Sequence, residues 1–123
     1  MGVRNIAALG LVLRPGPYRQ RSARSQLDVA LAAAALNTPL HLYFLGGAVL
    51  QLLGERNLLA ARYPAGYRGW ASLPELTKVC ASAEPAWLDH LNGLGFSFLL
   101  DLQARTLARM RADWQSCARV LVL

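Results

Sequence analysis

Lysine is nearly missing from this chain: Lys78 is the only one, and every other basic group is an arginine. Acidic residues are few, 7 against 13 basic ones, which leaves a formal net charge of +6. Asp28 and Asp89 stand alone, so no acid–base pair of carboxylates is recognisable. There are only two cysteines, Cys80 and Cys117, and two histidines, His41 and His90. None of them is paired at ligand spacing, which excludes a disulfide framework and a zinc motif. No phosphate loop and no nucleophile elbow occur. Gly46-Gly47 lacks the spacing of a dinucleotide fingerprint, so it reads as a tight turn. No metal or organic cofactor is expected.

Apolar residues, by contrast, are abundant. They make up 54% of the 123 residues, while charged ones make up 16%. That length suits one domain over residues 1–123. So much apolar surface on so few charges predicts that part of it meets a partner. The helix Ala48–Leu53 and the stretch Tyr63–Trp70 offer the expected contact surface, with Tyr63, Tyr67 and Trp70 as anchors. Arg4, Arg14, Arg19, Arg21 and Arg24 crowd the first fifth of the chain. Without interleaved aromatics they read as a solvated basic loop, and direct nucleic-acid binding is not expected. A run without charge extends from Val29 to Gly54, long enough to span a bilayer. Asn37-Thr38-Pro39 and Gly46-Gly47 cut it into pieces of strand and helix size, which argues against a membrane span. Ile6–Leu13 lacks a signal-peptide cleavage site and runs straight into Arg14-Pro15-Gly16-Pro17. A reducing cytoplasm is the expected setting.

Apolar runs and turn signals predict five strands: Ile6–Leu13, Leu40–Leu45, Leu76–Cys80, Phe96–Leu100 and Ala118–Leu123. Between them lie predicted helices. One starts at Ser22 or Ser25 and runs to about Leu36. Others cover Ala48–Leu53, Tyr67–Leu73 and Ala83–Asn92, and the last runs from Leu102 to about Trp114 behind an Asp101 cap. Strands alternating with helices, each strand continuously apolar, predict a mainly parallel sheet covered on both faces. The expected class is a three-layer α/β/α, flavodoxin-like domain with five strands.

Cys80 is the residue with most chemical promise. At the end of the predicted third strand, it would face the helix start Ala81-Ser82-Ala83-Glu84-Pro85. A helix N-terminus favours thiolate, as does a lysine two residues away on the same strand face, here Lys78. A small buried hydrophobe is the alternative, since free cysteine is often plain packing. Cys117 reads as packing, His41 as a satisfied core or interface residue, and His90 as solvent-facing.

Several segments together resemble a known family. Arg24-x-x-Leu27-Asp28 opens an alanine-rich helix. Leu42-Tyr43-Phe44-Leu45 is followed by Val49-Leu50-Gln51-Leu52-Leu53. Then come Val79-Cys80-Ala81-Ser82 and the terminal Arg119-Val120-Leu121-Val122-Leu123. In this order and spacing they resemble the DsrE/DsrF-like family, most of all its TusC/DsrF branch. The resemblance implies a cytoplasmic sulfur-relay subunit that passes persulfide sulfur between proteins, for tRNA 2-thiouridine synthesis or dissimilatory sulfur oxidation. It implies two related small α/β sister subunits in a hetero-oligomer and a downstream sulfur-carrier protein; the high apolar content also allows a homo-oligomer when the chain is isolated. Cys80 falls where the family carries sulfur. In this branch the transferring cysteine is often assigned to a sister subunit, so the alternative role is a scaffold of the same fold with an inert cysteine.

Overall fold

The structure is a computed structural model, and it describes residues 8–14, 20–54, 66 and 68–123. Strand β1 covers Leu9–Leu13, helix α1 Gln20–Ala35 and strand β2 Leu40–Phe44. A 3-10 helix, Gly46–Leu52, follows. Helix α2 covers Gly69–Leu76, β3 Val79–Ala83, α3 Pro85–Gly93, β4 Leu102–Ala104, α4 Leu107–Trp114 and β5 Arg119–Val122. Among the described residues the five strands form one sheet in the order β4-β3-β2-β1-β5, and every pairing is parallel.

The order of the strands decides where the helices go. From β1 to β4 each new strand is added on the same side of the last. Right-handed crossovers then place α1, α2 and α3 on one face. That face holds the main core: Leu11, Leu13, Leu40, Leu42 and Phe44 from the sheet meet Leu27, Ala30, Trp70, Leu73, Leu88 and Leu91 from the helices. The step from β4 back to β5 runs in the opposite direction, so α4 lands on the opposite face. There Met110 packs with Val12 and Tyr43, flanked by Trp114 and Cys117. The result is the expected three-layer α/β/α arrangement.

Local chemistry ends the helices where the sequence marks them. Asn37 takes a left-handed φ of 60° just past α1. Its N–H bonds to Ala34 O and the Thr38 N–H to Ala33 O, the paired closure of a Schellman turn. Gly95 does the same after α3 at φ 83°, with Phe96 N–H on Leu91 O and the Phe96 ring buried behind it. Gly46, at φ 51°, gives its N–H to Glu84 Oε1 at 3.1 Å. A carboxylate of the chain itself thus occupies the Gly46-Gly47 turn, which makes it structural.

The structure corrects several expected boundaries. The third strand is Val79–Ala83 rather than Leu76–Cys80. Pro74 lies inside α2, and pairing with β2 fixes which residues extend, overriding the weak strand preference of Ala81 and Ala83. Phe96–Leu100 is not a sheet strand. Its backbone turns to the end of the 3-10 helix, through Leu99 N–H to Leu52 O and Gly54 N–H to Ser97 O. The fourth strand is therefore Leu102–Ala104, and the last helix starts at Leu107 behind Thr106, whose Oγ1 accepts the Arg109 N–H. The expected contact surface is also corrected. Ala48, Val49, Leu52, Leu53 and Trp70 are buried in the chain's own core. Tyr63 and Tyr67 lie outside the described residues.

Phe44 is fully buried, whereas Leu36 is 80% exposed. Phe44→Ala should lower unfolding free energy by about 3–5 kcal/mol. Leu36→Ala should stay within about 0.5 kcal/mol. Urea denaturation of both variants checks this.

Candidate functional site

Strand β2 alternates. Leu40, Leu42 and Phe44 point into the main core, so His41 and Tyr43 point to the face that α4 covers. The parallel register aligns His41 with Gly10 of β1 and Cys80 of β3, and Gly10 with Val120 of β5. One row across the sheet thus reads Val120, Gly10, His41, Cys80. The next row on the same face reads Val122, Val12, Tyr43, Ser82, Gln103. A two-turn α4 cannot cover both rows. It packs over Val12 and Tyr43, and beside it opens a cavity of about 210 Å³ lined by His41, Tyr43, Cys80, Ser82, Arg105, Asp113 and Ser116.

Cys80 therefore sits elsewhere than its sequence neighbours suggest. It is the second residue of β3, near the amino end of the sheet. Helix α3 begins only at Pro85, beyond the strand's other end. The thiol does not face that helix N-terminus. It is half-buried, on a partly open sheet face, next to His41. Lys78, which the sequence places on the same face as Cys80, does contribute positive charge here, since its field reaches His41.

Cys117 packs against Val12, Tyr43 and Met110, as expected of a packing residue, and it also adjoins this site. It follows α4, and its Sγ lies 3.8 Å from Tyr43 Oη, 3.9 Å from His41 Nδ1 and 3.8 Å from the Asp113 carbonyl. Tyr43 Oη is 3.4 Å from His41 Nδ1. Gly10 makes room for this sulfur: a Cβ there would stand 3.0 Å from Cys117 Sγ and 3.2 Å from Val120 Cγ2. Trp114 meets the Tyr43 ring edge-on at 6.0 Å and fixes its position. Arg105 forms an ion pair with Asp113 and bonds Gln103 Oε1 through Nε at 3.1 Å. Both carry charge to the rim of the cavity.

Two groups are held in their neutral forms. Burial lowers the His41 pKa below 6.5, and the positive charges of Arg105 and Lys78 lower it further. Burial raises the Tyr43 pKa well above 10, and the hydrogen bond with Cys117 adds to the shift. The site thus sets a neutral imidazole and a phenol beside Cys80 and Cys117, with the charges of Arg105 and Lys78 acting on His41. Among the described residues no three His, Cys, Asp or Glu side chains gather to hold a metal ion. The sequence does carry a signal for this face. His41-x-Tyr43 and Cys80-x-Ser82 break their strands at period two, so β2 and β3 are not uniformly apolar. Arg105, Asp113 and Cys117 have no such signal, because the fold brings them from the last crossover.

The fold and the site define a doubly wound α/β domain with a thiol-bearing open sheet face. No family model matches the chain. A protein described as a TusC homolog, from Aliivibrio fischeri (strain ATCC 700601 / ES114), is 33% identical over 63 residues, which is 49% of this chain and 53% of that protein. The chain thus spans about half the length of the curated relative it matches. Among solved structures, the ychN protein from E. coli superposes with a TM-score of 0.67 at 19% identity, covering 95% of this chain and 99% of that one. The likeness to a TusC homolog bears out the resemblance read from the sequence, and the likeness to ychN shows a shared fold. Among the described residues no helix is long and apolar enough to cross a membrane.

Because His41 binds its proton more weakly when folded than when unfolded, the unfolded chain takes up more protons just below pH 6.5. Stability is then lost as pH falls through that window and is untouched by His41 above it. His41→Gln should flatten the decline in melting temperature between about pH 7 and about pH 5 relative to the parent, as measured by thermal melts across that range.

Proposed function

We propose that this protein is a subunit of a cytoplasmic sulfur-relay complex and that Cys80 carries the sulfur as a persulfide. The observation that supports this best is the setting of Cys80: a half-buried cysteine lining an open cavity beside His41, with Arg105 in the same wall. A relay cysteine must be reachable by another protein's thiol, and the anion it forms must be stabilised. In the loading step the Cys80 thiolate attacks the terminal sulfur of a donor persulfide. A new S–S bond forms at Cys80, the donor's S–S bond breaks, and the donor leaves as its thiolate. The sulfane sulfur moves at its own oxidation level, so the step needs no oxidant, metal or organic cofactor. Unloading repeats it with the acceptor's thiolate as the nucleophile.

The proposed partners are two related small α/β subunits and a downstream sulfur-carrier protein. This reading follows the kinship with a TusC homolog and the high apolar content of the chain. In isolation the chain is expected to self-associate. The acceptor pathway is 2-thiouridine synthesis on tRNA or dissimilatory sulfur oxidation.

Incubation with glutathione persulfide should add the mass of one sulfur at Cys80, read by peptide-resolved mass spectrometry. Cys80→Ser should lose that label while keeping the circular dichroism of the parent. A natively folded parent that takes no sulfur at either cysteine would reduce the chain to a scaffold whose sister subunit carries the sulfur.

A further inference from the structure

The site holds a second thiol that the relay reading leaves idle. Cys80 and Cys117 are 37 residues apart in sequence (117 − 80), yet both flank the pair His41 and Tyr43. We propose that Cys117, held between Tyr43 Oη and His41 Nδ1, is a second sulfane-sulfur acceptor of this cavity, with those two residues as its positioning groups.

Three observations carry the proposal. First, donors converge on the sulfur. The Tyr43 hydroxyl stands 3.8 Å from Sγ and the His41 Nδ1 3.9 Å from it. With its proton on Nδ1, a neutral His41 donates to a thiolate as Tyr43 does, and sulfur accepts at such distances. The pair would work as neutral donors aimed at a developing anion, the arrangement that stabilises charge without reorganisation. Second, the space is prepared. Glycine in the middle of a strand weakens it and marks a close approach, and Gly10 leaves the volume that Cys117 Sγ occupies. Third, the sulfur lies behind residues of the cavity wall, against the smaller apolar cluster and not in the main core. Its partners His41, Tyr43 and Asp113 all line that cavity, as does Cys80, and Cys117 itself is half-buried.

The chemistry balances as it does at Cys80. The Cys117 thiolate attacks the terminal sulfur of a persulfide, forming Cys117–S–SH and releasing the donor as its thiolate. The proposal rests on the sulfur-relay reading for its substrate class, and the two are separable because each cysteine reports its own label.

The test uses the full chain and glutathione persulfide as the donor. In Cys80→Ser, Cys117 should still gain one sulfur, and Cys80→Ser with Cys117→Ser should gain none. Tyr43→Phe removes one donor and keeps the ring against Trp114. In the Cys80→Ser background it should slow both persulfidation and iodoacetamide alkylation of Cys117 about tenfold, the loss of about 1.4 kcal/mol of stabilisation of the attacking sulfur. His41→Leu should slow them similarly. His41→Asn, which returns an N–H donor near the Nδ1 position, should recover most of the rate. A folded Cys80→Ser protein whose Cys117 takes no sulfur overturns the proposal and leaves the Cys80 reading standing. Unchanged rates in both Tyr43→Phe and His41→Leu overturn the positioning roles. Sulfur found at Cys117 with none at Cys80 in the parent would instead overturn the relay role of Cys80 and make Cys117 the acceptor.

Discussion

The handedness of the crossovers, combined with a single reversal of winding, sets how the layers of this domain form. Three successive steps from β1 to β4 run in one direction, so three helices must share one face. Only the last crossover runs back, and it has one two-turn helix to give to the other face. Among the described residues, one helix of this length leaves part of that sheet face open. The uncovered part becomes the cavity, and the strand positions facing it escape the demand for apolar side chains that governs the other face. His41, Tyr43, Cys80, Ser82 and Gln103 all stand on that side.

That half-covered face also sets the chemistry. A fully buried face would bar a partner's thiol, while a fully solvated one would leave each group at its ordinary acidity. Partial burial keeps His41 neutral by desolvation and keeps Tyr43 a phenol. Arg105 is anchored by Asp113 and Gln103, so its charge is held at the rim and does not wander with a free side chain. The Gly46-Gly47 turn shows the opposite outcome. An anion-binding feature is present there, but Glu84 fills it from within the chain, and no ligand role remains.

Much of the fold was legible in the sequence. Apolar runs cut by Asn37-Thr38-Pro39 and by Gly93 and Gly95 marked strand–helix alternation, because left-handed residues close helices in ways few others can. A parallel, doubly covered sheet follows from that alternation alone. Boundaries slipped where the signal was weak. Phe96–Leu100 is as apolar as a strand, but its backbone partners come from the 3-10 segment. Ala81 and Ala83 are poor strand formers, and β2 recruits them by register. Hydrophobicity reports burial, whereas strand membership depends on which backbone lies alongside.

The residues themselves therefore determined the alternation of elements, the layered class and the presence of a thiol in β3. Tertiary structure alone decided that this thiol sits near the amino end of the sheet, away from the start of α3, and that Cys117 stands with His41 and Tyr43. The physical reason is the range of the forces involved. Turn chemistry and periodicity act within a few residues of the chain. The meeting of β2, β3 and the turn after α4 requires the whole sheet to have formed.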